Sequence, residues 1–109
     1  MDELTIWKNI KKQAASVGRN TTRILLELYY VLKSPDTPLW DKTIILSALS
    51  YQFLPKQILS KEKHGILGYM DNLVTLMLAY NRVRRRVTPQ IAMDVDKILS
   101  QWFGYTAIE

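Results

Sequence analysis

Very few side chains in this 109-residue chain could do covalent or acid–base chemistry. With one histidine, His64, and no cysteine, it lacks a multi-histidine or thiolate metal set, a thiol nucleophile and any disulfide. His64 stands between Lys63 and Gly65, no nucleophile-elbow motif surrounds any serine, and the residue reads as a solvated loop histidine before a general base. Asp94 and Asp96 lie two apart in a helical stretch, so their side chains diverge and do not suit a paired acid–base role. Gly18, Gly65, Gly68 and Gly104 are scattered as punctuation and make no phosphate-cradling loop. No catalytic residue, metal ligand or cofactor is assigned, and the chain is expected not to be an enzyme.

Cations remain. The net charge is +5 and the cations are unevenly placed: Lys8, Lys11, Lys12, Arg19 and Arg23 lie in the first quarter, and Arg82, Arg84, Arg85 and Arg86 form the run "RVRRR", of which Lys8, Lys11 and Lys12 and then Arg82, Arg85 and Arg86 are the candidate binding residues. At the C-terminal end of a helix, cations are favoured by the macrodipole alone, by about 0.3–1 kcal/mol each. The functional alternative is a patch for anions or anionic lipid, in which the three arginines share a wet face and serve binding, not folding. The first helix is itself amphipathic, with Trp7 flanked by lysines in the manner of a membrane-surface helix, although Trp7 packed on the bundle is the favoured reading. Nucleic acid is a weaker partner, since neither helix-turn-helix spacing nor an aromatic stacking platform accompanies the arginines. The expected partners are an anionic membrane surface or another protein, and the sequence does not give the oligomeric state.

The elements that must hold these residues are helices. A length of 109 residues fits one domain, and 48% hydrophobic with 23% charged residues is the composition of a globular chain. Asp2 can cap a first helix carrying Trp7, Ile10, Ala14 and Val17, which Gly18 ends; Asn20 can cap a second, "TTRILLELYYVLK", with Arg23 and Glu27 on one narrow polar stripe. "SPDTP" breaks it, and Thr37 with Pro38 is expected to cap a third helix. That helix shows two apolar stripes, Leu39–Leu46–Leu49–Phe53 and Trp40–Ile44–Ala48–Tyr51. Between them Thr43, Ser47 and Ser50 form either a close helix contact, with the hydroxyls bonded back to carbonyls, or a polar site. A fourth helix over about 66–86 has an apolar arc of Met70, Leu73, Val74, Met77, Leu78 and Tyr80, with Asp71, Thr75 and Arg82 on its wet face. Thr88 and Pro89 start a fifth, whose stripe of Ile91, Val95, Ile98, Leu99 and Trp102 stops at Gly104. The expected fold is all-α, a compact bundle of four to five helices, and no uncharged run reaches the roughly 20 residues of a membrane span. The opening "MDELTIWKNIKK" has no signal-peptide pattern, so the expected location is cytoplasmic, peripheral to the inner face of the membrane.

"YYVLKSPDTPLWDKTIILSALSYQFLP", "ILGYMDNLVTLMLAYNRVRRRVTPQI" and "ILSQWFG" together resemble the YkvA-like family, a small bacterial helical domain of unknown function. The resemblance covers residues 24–104 and leaves 1–23 as an added amphipathic helix of the single domain. Members typically carry Pro-x-Asp-Leu-x-Pro-Asp and then Leu-Gly-x-x-Asp-Asp. Here Pro55 and Asp71 match, whereas Gln57 replaces the first acid, Ser60 and Lys61 replace Pro-Asp, the spacing to Gly68 is about one residue longer, and Asn72 replaces the last acid. One remaining carboxylate is a poor site for Mg²⁺ or Ca²⁺. The segment Lys56–His64 is therefore expected to be a solvent-facing bend and not a preorganised site, with Leu67 and Met70 of the following helix in the core.

Overall fold

In the first helix, α1 (Glu3–Lys33), the Asp2 carboxylate accepts the Thr5 N–H at 2.8 Å, the cap expected from the sequence. The structure, a computed structural model, describes residues 2–53 and 65–104, and the side chains of all of these except 65–73. The insert 56–64, with His64, Pro55 and Gln57, lies outside the described residues, as do the side chains of Leu67, Gly68, Met70, Asp71 and Asn72.

Helix α1 is two helical arms about a break at Gly18, whose φ of 86° and ψ of 171° belong to a region that is essentially glycine-only. Thr22, not Asn20, bridges the break: its buried hydroxyl donates to the Ala14 carbonyl at 3.4 Å and occupies an acceptor that the first arm leaves open. The chain doubles back there, and the Trp7 ring comes to 5.2 Å from that of Tyr29. Ile6, Ile10 and Ala14 of the first arm and Leu25, Leu26, Leu28 and Val31 of the second are buried.

At the end of α1 the Ser34 N–H returns to the Tyr30 and Val31 carbonyls. Thr37 is a correction to the sequence reading. It caps no helix; its hydroxyl donates to the Val31 carbonyl at 2.7 Å, because that carbonyl, in the last turn of α1, lacks its intrahelical partner and keeps a lone pair free beside the Ser34 N–H. Pro38 takes the N-cap position instead, without a side-chain bond, and α2 runs over Leu39–Gln52.

The third helix, α3 (Gly65–Val83), ends in a 3₁₀ turn, Arg84–Arg86, where the sequence pattern continued the α-helix. Thr88 then caps α4 (Pro89–Phe103) as expected, accepting the Ile91 N–H at 3.1 Å, and Gly104 closes it with φ 82°. The described residues form no strand, and no helix among them is long and apolar enough to cross a membrane.

Helix α1 is the middle layer. On one side it carries α4, through Trp7 against Trp102 at 5.3 Å and an Arg23–Asp96 ion pair of 2.8 Å. On the other it carries the packed pair α2 and α3, and among the described residues α4 touches neither of them. The buried face of α2 is Asp41, Ile45, Ala48, Leu49 and Gln52, and that of α3 includes Leu76, Ala79 and Val83. Both differ in phase from the arcs expected from the sequence.

Candidate binding surface

Asp41, buried in the first turn of α2, is the polar centre of the described structure. Its carboxylate accepts Arg86 Nε at 2.7 Å and meets Arg82 Nε at 3.5 Å, and these contacts tie α2 to the end of α3 and the 3₁₀ turn. The Arg86 hydrogen bond holds the Asp41 carboxyl below its ordinary range, against the opposing effect of burial, with the charges of Arg86 and Arg82 adding to the lowering. This corrects the sequence reading of one free basic face. Arg86 is committed to the fold and Arg82 is shared, while Arg84 and Arg85 are exposed without an ion-pair partner among the described residues.

Arg85 and Arg86 also line a hollow with Ser34, Asp36, Thr37 and Thr88 at the N-terminal end of α4. Lys11, by contrast, lines one with Gln101, Trp102 and Phe103 at the other end. The fourteen residue steps of α4 put roughly 20 Å between these ends. That exceeds the Debye length of about 10 Å at 0.1 M salt, so the two basic clusters act separately in solution. Lys8, Lys11 and Lys12 are all exposed. Trp7 is half-buried against Tyr29 and Trp102, the packing role favoured from the sequence.

Between α2 and α3 runs an apolar groove of about 600 Å³, lined by Trp40, Ile44, Ala48, Tyr51, Leu78 and Ala79 with the hydroxyls of Thr43, Ser47 and Thr75, and with Arg82 beside Trp40 at one end. The Thr43 hydroxyl donates to Leu39 O at 3.0 Å, the back-bond expected of it, yet Thr43 and Ser47 are exposed, so no helix of the described residues covers this stripe. Of the large apolar side chains left in water, Trp40 at 63% exposure and Leu78 at 65% line the groove; Leu39, Val74 and Met77 are exposed elsewhere on the same two helices, and Leu4 and Met93 on α1 and α4. Leu39, Trp40, Val74, Met77 and Leu78 all belong to the apolar stripes that the sequence pattern assigns to packing, and here they are exposed. α2 and α3 are apolar on nearly every side, so periodicity could not say which face meets α1. The buried Asp41 was the available signal, because its pairing with arginines two elements away turns Leu39 and Trp40 outward.

Among the described residues no group of His, Asp or Glu side chains is placed to hold a metal ion. Glu27 is buried in the second arm of α1, 4.0 Å from Arg23 and beside Tyr80. Burial first, and the Glu27 carboxylate second, push the Tyr80 hydroxyl up to about 12.

No family model, curated protein or solved structure matches the chain.

Proposed function

We propose that this protein is a non-enzymatic binding module that docks peripherally on an anionic membrane surface through the α2–α3 face. The carrying observation is that Trp40 and Leu78 stand in water with Arg82 along one groove, on two helices that also expose Leu39, Val74 and Met77. Monomeric proteins seldom leave so many large apolar side chains together unless the patch has a partner. Tryptophan and leucine beside arginine is the composition that suits the boundary between headgroups and acyl chains. Each exposed arginine near such a surface adds about 1 kcal/mol at low salt. Membership of the YkvA-like family is part of the same proposal, carried by "TPLWDK" and "LGYMD".

Sedimentation with vesicles tests it. The protein should pellet with phosphatidylglycerol-containing vesicles and stay in the supernatant with phosphatidylcholine alone, with release as salt rises. Trp40→Gln with Leu78→Gln should abolish pelleting while leaving the thermal midpoint close to wild type, since both side chains are mostly in water. Absence of pelleting by the wild type at low salt removes the proposal.

A further inference from the structure

We infer that the α2–α3 groove binds the acyl chain of a single-chain carboxylate amphiphile, a long-chain fatty acid, with Arg82 holding its head. The inference deepens the reading of the α2–α3 face as the binding surface and rests on that reading, although not on the presence of a bilayer.

Three features carry it. The first is shape. From Trp40 to Tyr51 the groove follows eleven residue steps of α2, about 16 Å at 1.5 Å per residue. A volume of about 600 Å³ over that length leaves a mean cross-section of roughly 40 Å², half the roughly 80 Å² of a helix about 10 Å across. An extended hydrocarbon chain, about 4 Å wide by carbon–carbon contact distance, has room in it. A partner helix could enter only by single side chains. The second is the lining, apolar or small along its length and so matched to methylenes, in the volume range of small-molecule sites.

The third is the positive charge at the Trp40 end. Among the described residues Arg82 is the only charged side chain of the lining, and its contact with Asp41 places it at the Trp40 end, so an occupant with one anionic head and an apolar tail has a fixed direction. Arg82 already faces a carboxylate, but loosely: its Nε is 3.5 Å from Asp41, whose closer partner is Arg86 at 2.7 Å. The Arg82 side chain is 54% exposed, and its terminal nitrogens have no other partner among the described residues. A planar guanidinium with free N–H groups takes a carboxylate bidentately, and Asp41 keeps Arg86 when Arg82 turns to it.

Titration of the full chain with dodecanoate below its micellar range, followed by tryptophan fluorescence, tests the inference. Saturable one-to-one binding is expected, with a signal that Trp40→Phe removes. Dodecyltrimethylammonium, with the same tail and a cationic head, should bind at least tenfold more weakly. Arg82→Gln should weaken dodecanoate binding about tenfold and leave dodecanol binding unchanged, and Ser47→Phe, filling the groove from an exposed position, should abolish both with the helical circular dichroism intact. Equal affinity for the two head charges, or dodecanoate binding unaltered by Ser47→Phe, overturns the inference. So does a dimer that dodecanoate leaves intact and Ser47→Phe dissociates, for then the occupant is a second copy of this chain. Vesicle pelleting on the same samples separates the two readings: dodecanoate binding without pelleting supports the groove and removes the membrane, while pelleting without dodecanoate binding overturns the groove alone.

Discussion

Arg85 and Arg86 are neighbours in the chain with opposite fates, and the difference lies in one carboxylate. Arg86 meets buried Asp41 at 2.7 Å, whereas Arg85 ends in solvent. Arg85→Gln should therefore change stability by less than about 0.5 kcal/mol, as ordinary surface changes do. Arg86→Gln should lower the denaturation midpoint measurably, because it leaves a buried carboxylate with only its weaker partner. The pH dependence follows from the lowered Asp41 pKa. An acid that ionises more readily folded than unfolded stabilises the fold above its unfolded value of about 4, and that contribution is lost as pH falls through the lower folded value. Wild type and Asp41→Asn should thus differ in urea midpoint at pH 7 and converge in strong acid; a constant gap down to acid pH would mean the ion pairs are not what the substitution removes. Tyr80 acts at the other extreme. Its hydroxyl is favoured in the protonated form, so the stability it adds is complete below the unfolded value of about 10 and lost as pH rises towards about 12. In an absorbance titration at alkaline pH, Tyr80→Phe should delete the latest phenolate step, and retention of that step would assign it to another tyrosine.

At the scale of elements, the break at Gly18 decides whether α1 is one rod or two antiparallel arms. A Cβ there would meet nothing within 4 Å, so the obstacle to substitution is the backbone alone. Gly18→Ala should cost about 1–3 kcal/mol in denaturant titration, the usual cost of a residue held where only glycine is at ease. A cost near zero, accompanied by a larger species on size exclusion, would show the arms straightening and exchanging between copies. This break was legible, since glycine followed by "RNTT" ends one amphipathic pattern and begins another. The cap at Asp2, the start of α4 at Thr88 and the stripe Val95–Leu99 were legible for the same reason: each follows from spacing within a few residues. The faces of α2 and α3 were not. Ile45, Leu76 and Val83 are buried while Leu39, Val74 and Leu78 are exposed, and all six are aliphatic, so hydropathy has no means of separating them. Which side turns inward is settled by contacts 41 and 45 residues apart, Asp41 with Arg82 and Arg86, and by the small residues Ala48 and Ala79 where α2 meets α3. The candidate site inherits that blindness, because the sequence points to the cations and the groove appears only once the helices are docked.

Across the whole molecule, α1 separates two surfaces of different character. α4 and the exposed Lys11 are associated with one side, and the α2–α3 groove with the other, so a flat membrane meeting the groove has little access to Lys11 beside Phe103. A net charge of +5 draws the protein to any anionic surface from a distance, but the orientation it adopts on arrival depends on which cations stand beside the apolar patch. Arg82 lines the groove and the exposed Arg84 and Arg85 follow it at the end of α3, whereas Lys11 lies at the far end of α4. Arg84→Gln with Arg85→Gln should therefore weaken binding to anionic vesicles at low salt by about 2 kcal/mol, at about 1 kcal/mol for each cation near the surface. Lys8→Gln, Lys11→Gln and Lys12→Gln together remove more charge but should cost less, acting only through long-range attraction that fades above about 0.1 M salt as screening sets in. Pelleting isotherms for the two variants across a salt series read both effects. If the lysine variant is the weaker binder at every salt concentration, the membrane meets the first arm of α1, and the apolar face of α2 and α3 must then be kept for a different partner.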